Sequence, residues 1–411
     1  MSVVKKEIAI IGGGAAGFFA AIACAQHFPS HSVTLYEKSN KLLSKVRVSG
    51  GGRCNVTHAC FDIHQLVKNY PRGEKQLLGA FSRFGPTDTI RWFEDRGVKL
   101  KTESDGRMFP VTDRSETIVN CLLDETEKSG VKIRTNAELI RLEKNQDDKF
   151  DLIFRDGMNA IADKVLVAAG GHPKADGLDW IAKLGHQLVS PVSSLFTFNM
   201  PKNRVTELMG VSVLSAKAQI NGTKYQSTGP LLITHWGMSG PAILKLSSLA
   251  ARELAERKYQ FDLTISWIPE NSFDELYQQL PSLKKELSSK QVYNHNPFDL
   301  PKRLWMFLLN KISIPESHRW ADLSKEQLKR LAQALTQDLY PVHGKTTFKE
   351  EFVTCGGIAL HDVDFKTMES KKCKGLFFAG EVLDIDAVTG GFNFQAAWTT
   401  GFIAGTHMGS L

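Results

Sequence analysis

"EIAIIGGGAAGFFAAIACAQH" runs from Glu7 to His27. Its first five residues form a short apolar run rich in isoleucine, the pattern of a strand buried in a parallel sheet. Gly12-x-Gly14-x-x-Gly17 follows. An apolar stretch that reads as a helix comes next and stops near Pro29. "SVTLYEK" is a second strand, and it ends in Glu37, twenty residues beyond Gly17. Each part has a physical task. Gly12 permits the tight turn, Gly14 lets the backbone approach a pyrophosphate, and Gly17 lets helix and strand pack closely. The helix N-terminus offers unpaired N–H groups and the positive end of its dipole to phosphate. Glu37 can accept hydrogen bonds from a ribose hydroxyl pair. Strand, helix, second strand and acid fall in register, so the stretch reads as a dinucleotide-binding unit.

The glycines alone do not choose between NAD and FAD; the other end of the chain does. "CKGLFFAGEVLD" places a strand, Gly375–Ala379, before Gly380 and Glu381. "GGFNFQAAWTTGFIAG" then reads as a glycine turn opening an amphipathic helix. An acid at that strand end can hold the ribityl or pyrophosphate region of an extended FAD. The helix N-terminus can aim its dipole at the flavin's N1–C2=O edge. A third segment agrees: "DKVLVAAGG", Asp163–Gly171, is another strand running into glycines. No second GxGxxG follows a strand, so a nicotinamide donor is expected to dock on the flavin rather than in a domain of its own.

A second glycine run, "VSGGGRCNVT" from Val48 to Thr57, reads as a backbone cradle along the FAD, with Gly50, Gly51 and Gly52 supplying close approach and positive φ. Arg53 is read as facing the pyrophosphate or clamping an anionic substrate, with a surface salt bridge as the alternative. Asn55 is either a polar contact to a ring amide edge or a turn former. Cys54 is a candidate proton donor to carbon, or a small residue packed under the loop. His235, in "THWGMSG", is the other catalytic candidate, as proton donor or substrate contact; its alternative is a structural histidine. Trp236 and Trp398 read as core aromatics, with stacking on a planar ring as the alternative.

The chain has 411 residues, more than one ordinary core holds. Hydrophobic residues make up 42% and charged residues 23%, which is ordinary for a globular protein. No apolar run reaches the length of a membrane span. The N-terminus enters a strand pattern at once, without a secretory signal, so a cytoplasmic location is expected. Six scattered cysteines form no close CxxC pair and are expected to be free thiols, and no metal site is expected. A net charge of +7 leaves two readings, a solvated basic surface or a polyanionic partner such as RNA.

After Gly185-His186 the texture changes. "LFTFNM", "SAKAQINGTKYQS" and "YQFDLTISWI" are strand-like, with Asn221-Gly222 a hairpin turn. Residues 270–345 read as helical, and the flavin pattern returns near "VTCGGIAL". The expected division is an FAD-binding domain of residues 1–190 and 346–411, with 191–345 inserted, β-rich over 191–269 and helical over 270–345.

"GGGAAG", "SGGGRCNVT", "THWGMSGPAIL", "VTCGGI" and "TMESKKCKGLFFAGEVLDIDAVTGGFNFQAAWTTG" occur in that order. Together they resemble the BaiN/YhiN-like family of NAD(P)/FAD-dependent oxidoreductases, over nearly the whole chain. The resemblance implies an α/β fold: a Rossmann-like FAD-binding domain of the glutathione-reductase type with an inserted β-barrel plus helical domain. It implies non-covalent FAD, with NAD(P)H as electron donor. The implied activity is reduction of an activated C=C bond, either in ribosomal RNA (uridine to dihydrouridine) or in a small enone or sterol-like acid. A flavin-bearing RNA-binding or redox-sensing factor, or an oxidase using O₂, is the alternative. The chain departs from the family at His58, at Ala387 and Phe392, and in "AGGHPKADGLDWIAKLGH". The cofactor set expected is Gly12, Gly13, Gly14, Ala16, Gly17, Glu37, Lys38, Lys45, Gly51, Gly52, Arg53, Asn55, Leu139, Ala169, Gly170, Gly380, Glu381, Gly391, Phe392, Asn393, Phe394 and Gln395. Cys54 and His235 are the catalytic candidates.

Overall fold

The computed structural model describes residues 5–172, 175–346 and 353–410, with only the backbone of Ala175 and Asp176. Part of the "AGGHPKADG" departure therefore lies outside the described residues. The chain divides into two compact units, Met1–Ser194 with Lys349–Leu411, and Leu195–Phe348.

The first unit is built on a seven-stranded sheet. The central one of its five parallel strands, Glu7–Ile11, is paired with Ser32–Tyr36 on one side and Lys164–Val167 on the other. Lys132–Arg134 extends one edge and Leu376–Phe378 the other, also in parallel. Two short antiparallel strands, Val363–Asp364 and Glu369–Ser370, finish the sheet. Ile8, Ile10, Val165, Leu166 and Val167 are all buried, as expected of a strand covered on both faces. Two smaller antiparallel sheets flank it, one of Leu139–Lys144, Phe150–Phe154 and Asn159–Ala162, and one of Thr57–His58, Leu100–Thr102 and Arg107–Pro110.

The helix Ala15–His27 packs along the helix Phe392–Met408, their extensive contact joining the two ends of the described chain. That helix is not amphipathic, contrary to its sequence pattern. Phe392, Gln395, Ala396, Trp398, Thr399, Thr400, Ile403 and Ala404 are all buried, so it is covered on most sides. Its polar residues are satisfied inside. Thr399 Oγ1 donates to the Phe84 carbonyl at 2.8 Å, Thr400 Oγ1 to the Ala396 carbonyl at 2.6 Å, and Trp398 Nε1 to the Val56 carbonyl at 2.9 Å. The approach of the two helices depends on glycine. A Cβ on Gly401 would lie 2.6 Å from the Ala16 carbonyl oxygen, and one on Gly405 would collide with that of Ala20.

The second unit holds a seven-stranded antiparallel sheet in the spatial order 338–343, 260–266, 212–220, 226–234, 237–239, 197–199, 345–346. Its two end strands are consecutive in the chain across Gly344, whose carbonyl accepts from the Asn199 N–H at 3.1 Å and whose N–H donates to the Tyr259 carbonyl at 2.7 Å, so the sheet closes on itself as the expected barrel. Asp338–His343 is a strand where helix was expected. Asp338, Tyr340 and Val342 turn inward while Leu339, Pro341 and His343 face out, the period-2 alternation of a half-buried strand. Asn221-Gly222 opens the connection of the hairpin 212–220/226–234, as expected, with Gly222 at φ +73°. The helices Phe273–Glu286, Lys302–Lys311 and Lys325–Thr336 share a core with the sheet in which Trp267, Trp305, Trp320 and Tyr340 are almost fully buried.

Two consequences are measurable. Gly→Ala inside a helix ordinarily gains about 1 kcal/mol. Gly405→Ala is expected to cost roughly 1–3 kcal/mol instead, because the methyl group has no room; a gain in thermal or denaturant stability would contradict this packing. Cys24 and Cys54 are buried, and burial pushes both thiols up to about 12. Between the usual thiol range and that value the unfolded chain has released protons that the folded chain retains, so stability falls as pH rises. The expected slope is about 1.4 kcal/mol per pH unit for each thiol. The double change Cys24→Ala/Cys54→Ala should flatten it in urea titrations at pH 9–11.

Candidate functional site

Gly12 takes φ +114°, and a Cβ there would collide with the Ala168 carbonyl. Gly17 sits against the Gly12 carbonyl oxygen, with no room for a Cβ. These two glycines let the first helix start directly above the central strand. Gly14 has nothing within 4 Å of its would-be Cβ, so its backbone faces open space. Gly14 is also the N-cap of the helix Ala15–His27. No side chain caps that end, and no acid stands in its first turn. Its N–H groups and dipole are therefore available to an anion.

Glu37 closes this end of the sheet. Its Oε2 accepts from the Gly13 N–H at 2.8 Å, and its Oε1 accepts from the N–H and hydroxyl of Ser39, both at 2.9 Å. The carboxylate is thus oriented beside the glycine turn. Ser39 was missed in the sequence; a Ser two residues past an acid at a strand end is its only local signal. Leu139 is buried at the start of its strand, close to the segment whose Ala137 N–H donates to the Glu37 carbonyl at 2.9 Å. Lys38 is exposed.

Residues Ser44–Gly52 begin as a helical turn that breaks at Ser49, whose ψ is 147°. Gly50, Gly51 and Gly52 then take φ +59°, +70° and +84°, the positive values expected of this run. Nothing lies within 4 Å of a Cβ at Gly51 or Gly52. Successive left-handed residues turn their N–H groups to one side and leave an anion-sized concavity. Ala169 and the positive-φ Gly170 follow the strand Lys164–Val167 directly beside Gly12, and Gly170 also faces open space.

Arg53 does not stand alone in this loop. Its guanidinium lies 2.6 Å from Glu103 and 3.6 Å from Asp113, and it stacks 4.0 Å from the centre of the Phe109 ring. Glu103 is shared with Arg107 at 2.9 Å. The geometry is that of the salt-bridge alternative. Asn55 is buried, and its amide donates to the Thr57 carbonyl at 3.0 Å and accepts from the Gly391 N–H at 2.9 Å. It ties the glycine loop to the start of the other long helix. Cys54 is fully buried at φ +62°, with its thiol held protonated by that burial. A thiol with no exposed surface has no open face toward a substrate carbon, and its surroundings are those of the packed alternative.

The second helix N-terminus is built in the same way as the first. Gly391, at φ +90°, caps the helix Phe392–Met408 without a side-chain cap or an acid in the first turn. A Cβ on Gly391 would meet the Thr57 carbonyl oxygen at 2.5 Å. Phe392 is stacked on His58 with ring centres 4.6 Å apart, and Tyr70 donates to its carbonyl at 2.7 Å. Asn393 holds both the N–H and the carbonyl of Ala387, at 3.0 and 3.2 Å. Phe394 stacks on Trp398, and buried Gln395 accepts from Thr57 Oγ1 at 2.6 Å. Gly380, at φ +74°, has its would-be Cβ 2.8 Å from the Ala16 Cβ. Glu381 accepts from the Thr354 N–H at 2.9 Å and from Lys45 Nζ at 2.5 Å. Two residues singled out separately, Lys45 and Glu381, are therefore one ion pair. The Thr354 hydroxyl is buried without a partner beside them.

One buried network was not foreseen. Asp386 is fully buried; Arg72 holds both its oxygens, and Ser194 Oγ donates to it at 2.6 Å. Burial raises its carboxyl, while Arg72 and Ser194 act the other way. This network fixes the loop that leads into Gly391 and the end of the strand Leu188–Ser194. His235 belongs to the second unit. It is exposed at the two-residue turn between Gln226–Thr234 and Gly237–Ser239, beside Trp236. Among the described residues no cluster of His, Cys, Asp or Glu is placed to hold a metal ion, and no helix is long and apolar enough to cross a membrane.

Two uncapped helix N-termini, two positive-φ glycine cradles and two oriented carboxylates thus lie in one unit. They suit an extended ligand with phosphates at one point and an electron-rich ring edge at another.

Comparison with known proteins agrees with this geometry. The family described as HI0933-like protein Rossmann domain matches residues 6–407. A 3-dehydro-bile acid delta(4,6)-reductase of Clostridium scindens is 28% identical over 97% of this chain and 98% of its own. A ribosomal RNA dihydrouridine synthase of Haemophilus influenzae is 30% identical over 97% of each. Among solved structures, a 3-ketosteroid-delta4-(5alpha)-dehydrogenase of Rhodococcus jostii shares the fold with a TM-score of 0.54, at 14% identity over 100% of this chain and 98% of that one.

Arg53 gives this site's test. If its role is to brace the loop against Glu103 and Phe109, Arg53→Met keeps the stacking and loses the ion pair. It should lower stability by no more than about 1 kcal/mol and leave dinucleotide affinity within a few-fold. A loss of a hundredfold or more in affinity would instead put the guanidinium on the phosphates.

Proposed function

The chain belongs to the HI0933-like family, and on that premise we propose that it is an FAD-dependent oxidoreductase that reduces an activated C=C bond. The observation that carries the reading is the pair of uncapped helix N-termini, at Gly14 and Gly391, with their helices packed against each other. In this reading the turn Gly12–Gly17 and the first helix hold the pyrophosphate, and Glu37 takes the adenosine ribose. Gly51, Gly52, Ala169 and Gly170 bring backbone to the extended part of the cofactor, and Glu381 orients its ribityl side. Gly391–Gln395 present N–H groups and a positive dipole end where negative charge develops on the ring. When bound, the flavin supplies hydride to the substrate carbon. Asn55 and Gln395 act indirectly, by fixing the N-terminus of the second helix.

The substrate favoured is uridine in ribosomal RNA, reduced to dihydrouridine with NAD(P)H as donor in the cytoplasm. Charge supports it. The second unit carries 19 Lys and Arg against 13 Asp and Glu, whereas the first is nearly balanced at 32 against 31. A polyanionic substrate is met by a basic unit. The second reading, a small enone or sterol-like acid, is favoured by the bile-acid reductase relative.

Two measurements test the proposal. Gly17→Val should abolish FAD retention, because the Gly12 carbonyl leaves no room for a side chain; a variant that purifies with full flavin would refute the cradle. Mass spectrometry of ribosomal RNA nucleosides from cells with and without the gene should show dihydrouridine lost in its absence. Unchanged dihydrouridine, together with NADPH turnover on an enone, would establish the second reading instead.

A further inference from the structure

His58 ends the short strand Thr57–His58 and lies against the start of the helix Phe392–Met408. Its ring stacks on Phe392 with centres 4.6 Å and planes 17° apart. A Cβ on Gly390 would lie 3.5 Å from its Cδ2, so the ring also backs the residue before the N-cap Gly391. A Cβ on Gly106 would collide with its Cε1. Nε2 lies 3.1 Å from the Asp105 carbonyl oxygen. A carbonyl only accepts, so the proton of the neutral ring sits on Nε2 and Nδ1 is a bare acceptor. Nδ1 is buried and has no partner. Buried polar atoms are ordinarily bonded, and an exception calls for a reason. Any aromatic ring would serve the stack on Phe392, and any amide would serve the bond to Asp105.

The charges that face this ring are engaged with one another. Arg107 is its partner on the next strand, and the Arg107 guanidinium lies 2.7 Å from Asp105 and 2.9 Å from Glu103. Tyr70 donates to the Phe392 carbonyl, and burial pushes its phenol and the Cys60 thiol up, so both stay neutral. Burial holds the His58 imidazole below its ordinary value; Asp105 acts the other way, and Arg107 acts with burial. The resting ring is therefore neutral beside the positive end of a helix. Negative charge arriving at that end favours the charged form of a histidine. We propose that His58 takes up a proton at Nδ1 when the cofactor at this helix start is reduced, and returns it on reoxidation. Hydride from the donor brings two electrons and one proton to the cofactor; a second proton, from solvent over the half-exposed ring, bonds to Nδ1. The inference rests on the flavin reading above and deepens it. It makes His58 a charge-balancing residue of the cofactor, with no contact to the substrate required.

The test uses the full chain loaded with FAD. Its midpoint potential is measured against reference dyes across the acid-to-alkaline range. Each proton taken up with two electrons adds about 30 mV per pH unit to the slope. The unaltered protein should show about 60 mV per pH unit over one stretch and about 30 above it. The lower edge of that stretch, where His58 titrates with the cofactor oxidised, should lie below pH 6.5. His58→Phe keeps the stack on Phe392, His58→Gln keeps a donor for the Asp105 carbonyl, and neither side chain titrates. Both variants should show about 30 mV per pH unit through the same stretch. A brace alone would make the two variants differ from each other, and would not remove the same one-proton step from both. A uniform shallow slope in the unaltered protein overturns the proposal. So does a steep stretch that persists in both variants, which would put the second proton on the flavin. If one variant loses its flavin, the other carries the comparison; loss of flavin by both makes His58 a structural brace and overturns the proposal as well. If the unaltered chain holds FAD with a uniform slope, the His58 assignment fails and the flavin reading stands. If the unaltered chain holds no FAD, both fall.

Discussion

Two helices that cannot be pushed apart set the rest of the first unit. The helix Ala15–His27 comes from the start of the chain and Phe392–Met408 from its end, and glycine at 401 and 405 lets their backbones approach closely. Because they touch along their length, each start is fixed relative to the other. The Gly12 turn positions one start over the central strand, and Asn55, Thr57 and Tyr70 position the other. A ligand long enough to need both ends is selected by this spacing before any single side chain touches it. Charge stabilisation at a helix start weakens within a turn, so an error in this packing would be felt as a loss of binding rather than as a small adjustment.

Much of this was legible in the sequence because the deciding residues are glycines and alternating apolar runs. Gly12, Gly14 and Gly17 carry their roles in their spacing, and the run Gly50–Gly52 announces positive φ. The residues that orient the site were less legible, because their partners are distant in the chain. Nothing near Lys45 indicates Glu381, nothing near Arg72 indicates Asp386, and Asn55 reveals Gly391 only in three dimensions. Arg53 shows the limit clearly: its residue type suits a phosphate, and nothing near it in the sequence indicates its pairing with Glu103 or its stacking on Phe109. The helix Phe392–Met408 was misread in one respect for a related reason. Its threonines and glutamine look like a wet face, but they bond to carbonyls and to one another in the interior.

The two units divide electrostatic work. The first is almost neutral overall and confines its fields to local devices: helix ends, backbone cradles and a few oriented carboxylates. The second holds most of the net positive charge and spreads it over its surface. Local devices keep their strength in salt because they are short-ranged and partly buried, whereas a diffuse surface charge is screened within a Debye length of about 8 Å at physiological salt. Cofactor retention and macromolecular recognition are therefore expected to respond to ionic strength in different ways within one molecule.

The strand Leu188–Ser194 leaves the first unit and Val353–Ile358 re-enters it, and the two are paired in register, Ser194 opposite Val353. The points where the second unit joins the chain are thus neighbours on one ladder of the first. An insertion whose ends already meet can lengthen, shorten or be exchanged over evolutionary time without disturbing the host fold. Lineages built on this plan are free to keep one redox apparatus while the inserted unit changes.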